Sequence, residues 1–508
     1  MTAARESHIE SQGTTMTSLL KTTRRPLVAL VPLVAALVLA GCASSSNFAP
    51  TVAPDAPAAF REDGGARFVD AAPAEAQPRG EWWRVFGDPV LDDLVARAAA
   101  GNTDLQAAAA RVAEARALMR EAQAGLFPQV GVAAGAQRAT IGPGLGAAPG
   151  QAANLGTAGL SASWEPDLFG RVAKARDAAS LDAQSRAALL QSTRLVVQSD
   201  VARAYFGLRA LDAERALLRK TVEAHGDTLR LTERRYQAGD VGELDVARVR
   251  SEVASTASQA LALDRQRALA EHALAVLLGE LPSRFTLAEA DWTGALPAVP
   301  AGVPSAVLTR RPDVASAQLA MQAAEARAGV ARKAWFPDIA LTASGGYAST
   351  DIGDLFKWSA RAWGVGALLS LPLFDGGRRE AGVQRGDAQW DEAAAAYRER
   401  VLVAFRDVED QLASLRLLAD QDRVQQQAVD AAARATVLSD TRYRNGLVSQ
   451  LELLDARRSE LADRRVAVQV RAARYEATIG LIRALGGAWG SGAAGAAGFS
   501  SGGGPSSG

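Results

Sequence analysis

Arg235-Tyr236-Gln237-Ala238-Gly239 returns 207 positions later as Arg442-Tyr443-Arg444-Asn445-Gly446, and Val241 and Leu244 return as Val448 and Leu451. The echo extends upstream in order. Ala113-Glu114-Ala115-Arg116-Ala117 matches Ala324-Glu325-Ala326-Arg327-Ala328, and Leu126-Phe127-Pro128 matches Trp335-Phe336-Pro337. Asp104-Leu105 and Pro312-Asp313-Val314 open corresponding helices. An ordered set of matches at one long period is the mark of a duplication, whereas one Ala-rich match alone is not. Each half reads as helix, strand, loop, strand, very long helix, turn, long helix.

The long helices set the scale. Neither 171–235 nor 378–442 contains proline, and each runs for 65 residues. At 1.5 Å per residue each reaches about 98 Å if helical throughout. Such length implies a coiled coil or helical array. Leu181, Ala188, Leu195 and Ala202 recur every seven residues, and Ala388, Ala395 and Leu402 continue the pattern in the second half. Leu alternating with Ala lets neighbouring helices pack closely.

Between the helices lie four segments of period two, at about 128–138, 155–166, 337–347 and 361–372. Val130, Val132 and Ala134 alternate with Gln129, Gly131 and Gln137; Leu160, Ala162 and Trp164 alternate with Thr157, Ser161 and Ser163. Ile339, Leu341, Ala343 and Tyr347 alternate with Asp338, Thr342 and Ser344. Trp363, Val365, Ala367 and Leu369 alternate with Gly364, Gly366 and Ser370, with Leu368 as the exception. Ten-residue alternation, apolar on one side and small or polar on the other, fits transmembrane β-strands, with Trp164 and Trp363 as interfacial aromatics. Half-buried strands of a soluble sheet fit any single segment as well. Four strands cannot close alone, and an open edge in lipid strands unpaired N–H and C=O groups at several kcal/mol each. Small closed barrels need about eight strands, so the chain must self-associate; two copies supply eight and three supply twelve.

Composition excludes other classes. The 508 residues carry 56 Lys+Arg against 56 Asp+Glu, which argues against a broadly basic nucleic-acid binder. One cysteine and three histidines rule out a disulfide framework and a Cys- or His-rich metal site. No phosphate-binding loop or nucleophile elbow has the right context, so the chain reads as no enzyme, with no cofactor. That cysteine, Cys42, closes Leu39-Ala40-Gly41-Cys42 after a 13-residue apolar run from Leu27 to Leu39, which follows Lys21, Arg24 and Arg25. The run suits a signal peptide and is too short to span a bilayer. The pattern resembles a bacterial lipobox, which implies cleavage before Cys42 and attachment there of N-acyl and S-diacylglycerol lipid. Ala43 in place of aspartate points to the outer membrane. Translation starts at Met1 or at Met16. The domain plan is 1–41 signal peptide, 42–80 acylated tether, 81–300 first repeat, 301–486 second repeat and 487–508 flexible tail.

Trp164-Glu165-Pro166-Asp167-Leu168-Phe169-Gly170-Arg171, Arg310-Arg311-Pro312-Asp313, Leu371-Pro372-Leu373-Phe374-Asp375 and Arg442-Tyr443-Arg444-Asn445-Gly446 together resemble the TolC-like outer-membrane factors, most closely the acylated NodT-type branch. The resemblance runs from about Trp82 to Trp489. It implies a mainly α fold with transmembrane β: a homotrimeric twelve-stranded barrel, four strands per chain, continued by a long periplasmic α-helical barrel. It implies docking with a periplasmic adaptor protein and an inner-membrane, proton-driven pump of the RND type, in contact with outer-membrane lipid. The implied function is passive exit of drugs or other small molecules. Polypeptide or metal-ion export, or an acyl-anchored structural coiled coil, are the alternatives.

The resemblance also places a periplasmic gate at the turns near Gly239 and Gly446. Leu451, Asp455 and Arg458 match its constriction positions, Glu452 adds an acidic ring, and Tyr443 bonding Asp245 on the neighbouring hairpin would support it. The spacing of four and then three puts Leu451, Asp455 and Arg458 on one helix face.

Overall fold

The computed structural model describes residues 60–62, 80–140, 152–297, 299 and 310–487. The signal segment, Cys42 and the tail beyond 487 lie outside the described residues. Helix α1 spans Pro89–Gly101 and α2 spans Thr103–Ala124, each begun by a side-chain cap: Asp88 accepts from Val90 N–H, and Asn102 from Asp104 and Leu105 N–H. Strands β1 (Gln129–Thr140) and β2 (Ala152–Trp164) follow. Then come α3 (Arg171–Gln237) and α4 (Glu243–Leu278). The second half repeats the series as α5 (Pro312–Lys333), β3 (Asp338–Ser349), β4 (Arg361–Ser370), α6 (Arg378–Arg444) and α7 (Gln450–Ala484). Helices α3 and α6 have 67 residues each. Both their starts and their ends are offset by 207 positions, as the repeat requires.

The four strands form one antiparallel sheet in chain order, leaving β1 and β4 as edges. Its register aligns the faces that the alternation predicts. Val130 lies opposite Ala162, Ala162 opposite Ala343, and Ala343 opposite Val365; Ser161 lies opposite Ser344, and Ser344 opposite Gly364. One face is therefore mainly apolar, with Arg138, Asn154 and Arg361 at its outer end, and the other mainly small and polar, with Leu368 as the exception. Val130, Val132, Trp363 and Val365 are at least 71% exposed. Large apolar side chains are left this open on a whole sheet face when hydrocarbon, not water, surrounds them. The junction below the sheet continues the band with Trp335, Leu373 and Phe374, all exposed.

Helices α3 and α6 are the longest elements and change neighbours midway. In the upper half the order is α2–α3–α5–α6; in the lower half it is α4–α3–α7–α6. The apolar core sits where these layers meet. Tyr205, Phe206 and Leu208 of α3, Val401, Val408 and Leu412 of α6, Leu274 and Leu278 of α4, and Tyr475, Ile479 and Ile482 of α7 gather there with Trp82, Phe86 and Leu91. At the same belt, buried Asp212 faces three arginines: Arg267 at 2.6 Å, Arg209 at 3.2 Å and Arg215 at 3.5 Å.

One expectation needs correction. The stretch 42–80 reads as a tether outside any core, yet Phe60 is buried in the belt core. The N–H groups of Arg61 and Glu62 donate to the Glu409 carboxylate at 2.8 and 3.0 Å, and Glu62 pairs with Arg416 at 2.7 Å. A single aromatic in an Ala/Pro-rich run carries no periodicity, so its docking was not visible in the pattern.

Candidate functional site: the helical tip

Both long hairpins turn in the same way. Gly239 and Gly446 adopt φ values of 81° and 70°, a left-handed conformation that side chains resist. Asp240 N–H donates back to Arg235 O at 2.8 Å, and Leu447 N–H to Arg442 O at 2.9 Å. These bonds occupy the carbonyls that a helix end leaves without partners. The repeated five-residue motif is thus a helix stop.

Beyond the second turn, α7 presents two faces. Leu453 and Leu454 are buried in the hairpin, whereas Leu451, Asp455 and Arg458 share an exposed face, as their spacing predicts. Asp455 lies 3.6 Å from Arg458, and exposed Glu452 lies 3.4 Å from Arg442. Within the chain Tyr443 and Asp245 do not bond. Asp245, in the first turn of α4, lies 3.9 Å from Arg248, and the Tyr443 ring packs under the Arg235 guanidinium at 5.0 Å, its hydroxyl buried and without a hydrogen-bond partner. Helical proximity gives Asp245 a nearer cation three residues on.

Apart from Arg458, the sequence reading missed the residues that join the two hairpins. Arg458 reaches across to Glu252 of α4, donating from Nε at 3.0 Å and from a second nitrogen. Arg457 donates to Thr228 Oγ1 at 2.6 Å and to Asp440 at 3.1 Å. Gln450 donates to Thr232 Oγ1 at 3.1 Å, and Gln469 to Glu214 at 3.1 Å. Arg465 reaches Glu214 and Gln259 at 3.4 and 3.3 Å. The donors 450, 457 and 458, and 465 recur at about two helical turns, and 469 follows one turn later, so they line the side of α7 that meets the first hairpin. A polar heptad position was the signal available in the sequence.

Electrostatics mark the same junction. The hydrogen bonds from Arg458 hold the Glu252 carboxyl below its usual range, against the opposing effect of partial burial. His225 of α3 is 1% exposed, with no hydrogen-bond partner on either ring nitrogen. Burial pushes its imidazole below 6.5; Glu252 opposes that shift, and Arg457 and Arg458 add to it. The histidine is a neutral core residue wedged beside the bridge.

Among the described residues, the tip is two hairpins tied by a polar seam, with apolar, acidic and basic side chains in steps on one face.

Comparison with known proteins fits this architecture. Residues 94–280 and 303–487 match the family model described as outer membrane efflux protein, one stretch in each repeat. The pyoverdine export outer membrane protein OpmQ of Pseudomonas aeruginosa is 36% identical over 430 residues, covering 83% of this chain and 90% of that protein. The antibiotic efflux pump outer membrane protein ArpC of Pseudomonas putida is 31% identical over 467 residues, covering 90% and 94%. Among solved structures, the outer-membrane channel OprN superposes with a TM-score of 0.80 at 29% identity, covering 86% of this chain and 99% of that one.

Proposed function

Because the chain belongs to the outer membrane efflux protein family, we infer that it is the outer-membrane exit duct of a tripartite efflux system. The sheet lies in the outer membrane and the helices extend into the periplasm. The observation that carries the reading is one continuous element: an exposed apolar sheet face joined directly to two 67-residue helices. At about 100 Å each, those helices suit a conduit through the periplasm.

The unpaired edges of β1 and β4 call for closure with further copies. Three copies make a twelve-stranded barrel, and a homotrimer is the assembly we propose. A periplasmic adaptor and an RND-type pump would supply cargo and energy; the duct itself is passive. The relatives above are named for pyoverdine export and antibiotic efflux, which supports a conduit for diverse small molecules. Cys42, acylated, would add a lipid anchor, each buried CH₂ contributing roughly 0.8 kcal/mol.

In the trimer, Leu451, Asp455 and Arg458 would form three stacked rings at the tip, with Glu452 beside them. Apolar and charged rings close a pore by dewetting and electrostatic barriers. Imaging detergent-purified protein by electron microscopy tests the assembly: a hollow three-fold rod is expected, and a compact monomer or a solid fibre would refute it. Loss of metabolic palmitate labelling in Cys42→Ala tests the anchor.

A further inference from the structure

We propose that the outer rim of the barrel binds phosphorylated glycolipid headgroups of the outer leaflet, at each seam between two copies, through Arg138 of one copy and Arg361 of the next. The proposal rests on the trimeric barrel of the preceding section.

The segment between β3 and β4 folds back over the apolar sheet face. Phe356 packs edge-on against Tyr347 with ring centroids 5.6 Å apart. A Cβ placed on Gly156 would lie 3.8 Å from Leu355 and 3.9 Å from Ile352. Tyr347 and Gly156 share the parity of Leu160 and Trp363, so these contacts are all on the lipid-facing side. The fold-back adds Ile352, Phe356 and Trp358 to the outer margin of the band, each at least 70% exposed. Aromatic residues with one polar end favour the headgroup level of a membrane.

Two guanidiniums border this margin. Arg361 lies opposite Tyr347 at the start of β4. It sits over the Trp358 ring and donates Nε to Trp358 O at 2.8 Å, which fixes its direction. Arg138 stands exposed near the end of β1, opposite Asn154. Neither forms an ion pair among the described residues. The nearby carboxylates are engaged: Asp354 with Lys357 at 2.5 Å, Asp351 with Gly353 N–H at 2.8 Å. The segment 141–151 contains no Asp or Glu.

The topology brings the two cations together. β1 and β4 are the opposite edges of the sheet, and β1 ends where β4 begins, at the outer rim. Closing the barrel pairs them antiparallel, copy to copy, with Arg138 and Arg361 at the same end of the shared seam. One chain alone therefore holds half a site. Guanidinium binds phosphate oxygens through paired N–H donors. A phosphorylated glycolipid satisfies both features at once, its phosphates on the arginines and its acyl chains along the band.

The mature acylated protein, from Cys42 onward, in detergent tests this by native mass spectrometry with diphosphoryl lipid A, after its trimer mass is confirmed. We expect retention of bound lipid A to fall about tenfold or more in the Arg138→Gln, Arg361→Gln double variant, the loss anticipated for removing two charge-assisted contacts. Enzymatically dephosphorylated lipid A should bind weakly to both proteins. Equal retention by an intact double-variant trimer would overturn the proposal. So would equal retention of the dephosphorylated lipid, or displacement by millimolar inorganic phosphate, which would make the rim a general anion site. A parent protein that is not a trimer would instead refute the duct reading beneath it.

Discussion

Replacing Glu252 with Gln should loosen the helical tip by an amount that the structure bounds. Glu252 is largely buried and Arg458 is about half exposed, with side-chain exposures of 12% and 54%. Solvent screens such a pair, so about 0.5–1 kcal/mol per copy is the appropriate figure rather than a buried-pair value. Asp455, 3.6 Å away, still offers Arg458 a weaker partner in the variant. Three copies acting together give roughly 1.5–3 kcal/mol, or roughly a 10- to 150-fold shift toward a loosened tip. Single-channel recording in planar bilayers reads this directly as open probability. The shift should be larger at 0.1 M than at 1 M salt, since screening shortens to about 3 Å at the higher concentration. The Asp455→Ala, Arg458→Ala double variant should open at least as far. If Glu252→Gln and the double variant both record like the parent while remaining trimeric, the seam does not hold the tip.

Acidification should act at the same place. His225 is held below 6.5 chiefly by burial, so its contribution to the closed packing is intact above 6.5 and is lost as pH falls from there through its depressed value. Glu252, also depressed, loses its contribution lower, as pH falls below about 4.5. Open probability should therefore rise as pH falls below 6.5 in the parent, and His225→Gln should flatten that limb; an unchanged profile would count against the histidine. Asp212→Ala leaves Arg209 without a carboxylate partner, while Arg215 keeps Asp264 and Glu289 and Arg267 keeps Glu271, which should cost about 1–3 kcal/mol per chain and show as a lowered thermal midpoint of the trimer. Phe60→Ala should cost about 3 kcal/mol of local docking and expose the segment near Glu62 to protease without altering conductance; protection equal to the parent would refute the docking.

Much of this fold was legible because its periods are long and regular. Arg235-Tyr236-Gln237-Ala238-Gly239 and its copy located both turns, and the absence of proline set the helix lengths to within two residues. Strand alternation succeeded because each sheet face meets a different solvent, leaving period two undisturbed. The motif Arg310-Arg311-Pro312-Asp313 was informative in another way. Arg311 is buried between Asp313 at 2.9 Å and Asp407 at 3.2 Å and reaches Ala484 O at 3.3 Å, so it staples the start of α5 to α6 and to the end of α7. Phe60, Glu252 and His225 were not legible. Each acts through a partner far away in sequence, and nothing local separates Glu252 from any other helical glutamate.

The seam also shows what the duplication preserved and what it released. Subtracting 207 from the α7 donors Gln450, Arg457, Arg458, Arg465 and Gln469 gives Glu243, Arg250, Ser251, Ser258 and Ala262, of which only Arg250 keeps the charge. Adding 207 to the acceptors Glu214, Thr228, Thr232 and Glu252 gives Gln421, Ala435, Ser439 and Ser459, and neither acid survives. Helix lengths and turns stayed equal because two unequal hairpins could not end at one tip. The contact between the hairpins had no such constraint. In the seam α7 supplies the donors and α3 and α4 the acceptors, so a polar group kept at an equivalent position that lacks such a partner would cost about 1–3 kcal/mol if buried. Divergence at these positions is what lets two copies of one helical hairpin lock together, one mainly as donor and the other as acceptor.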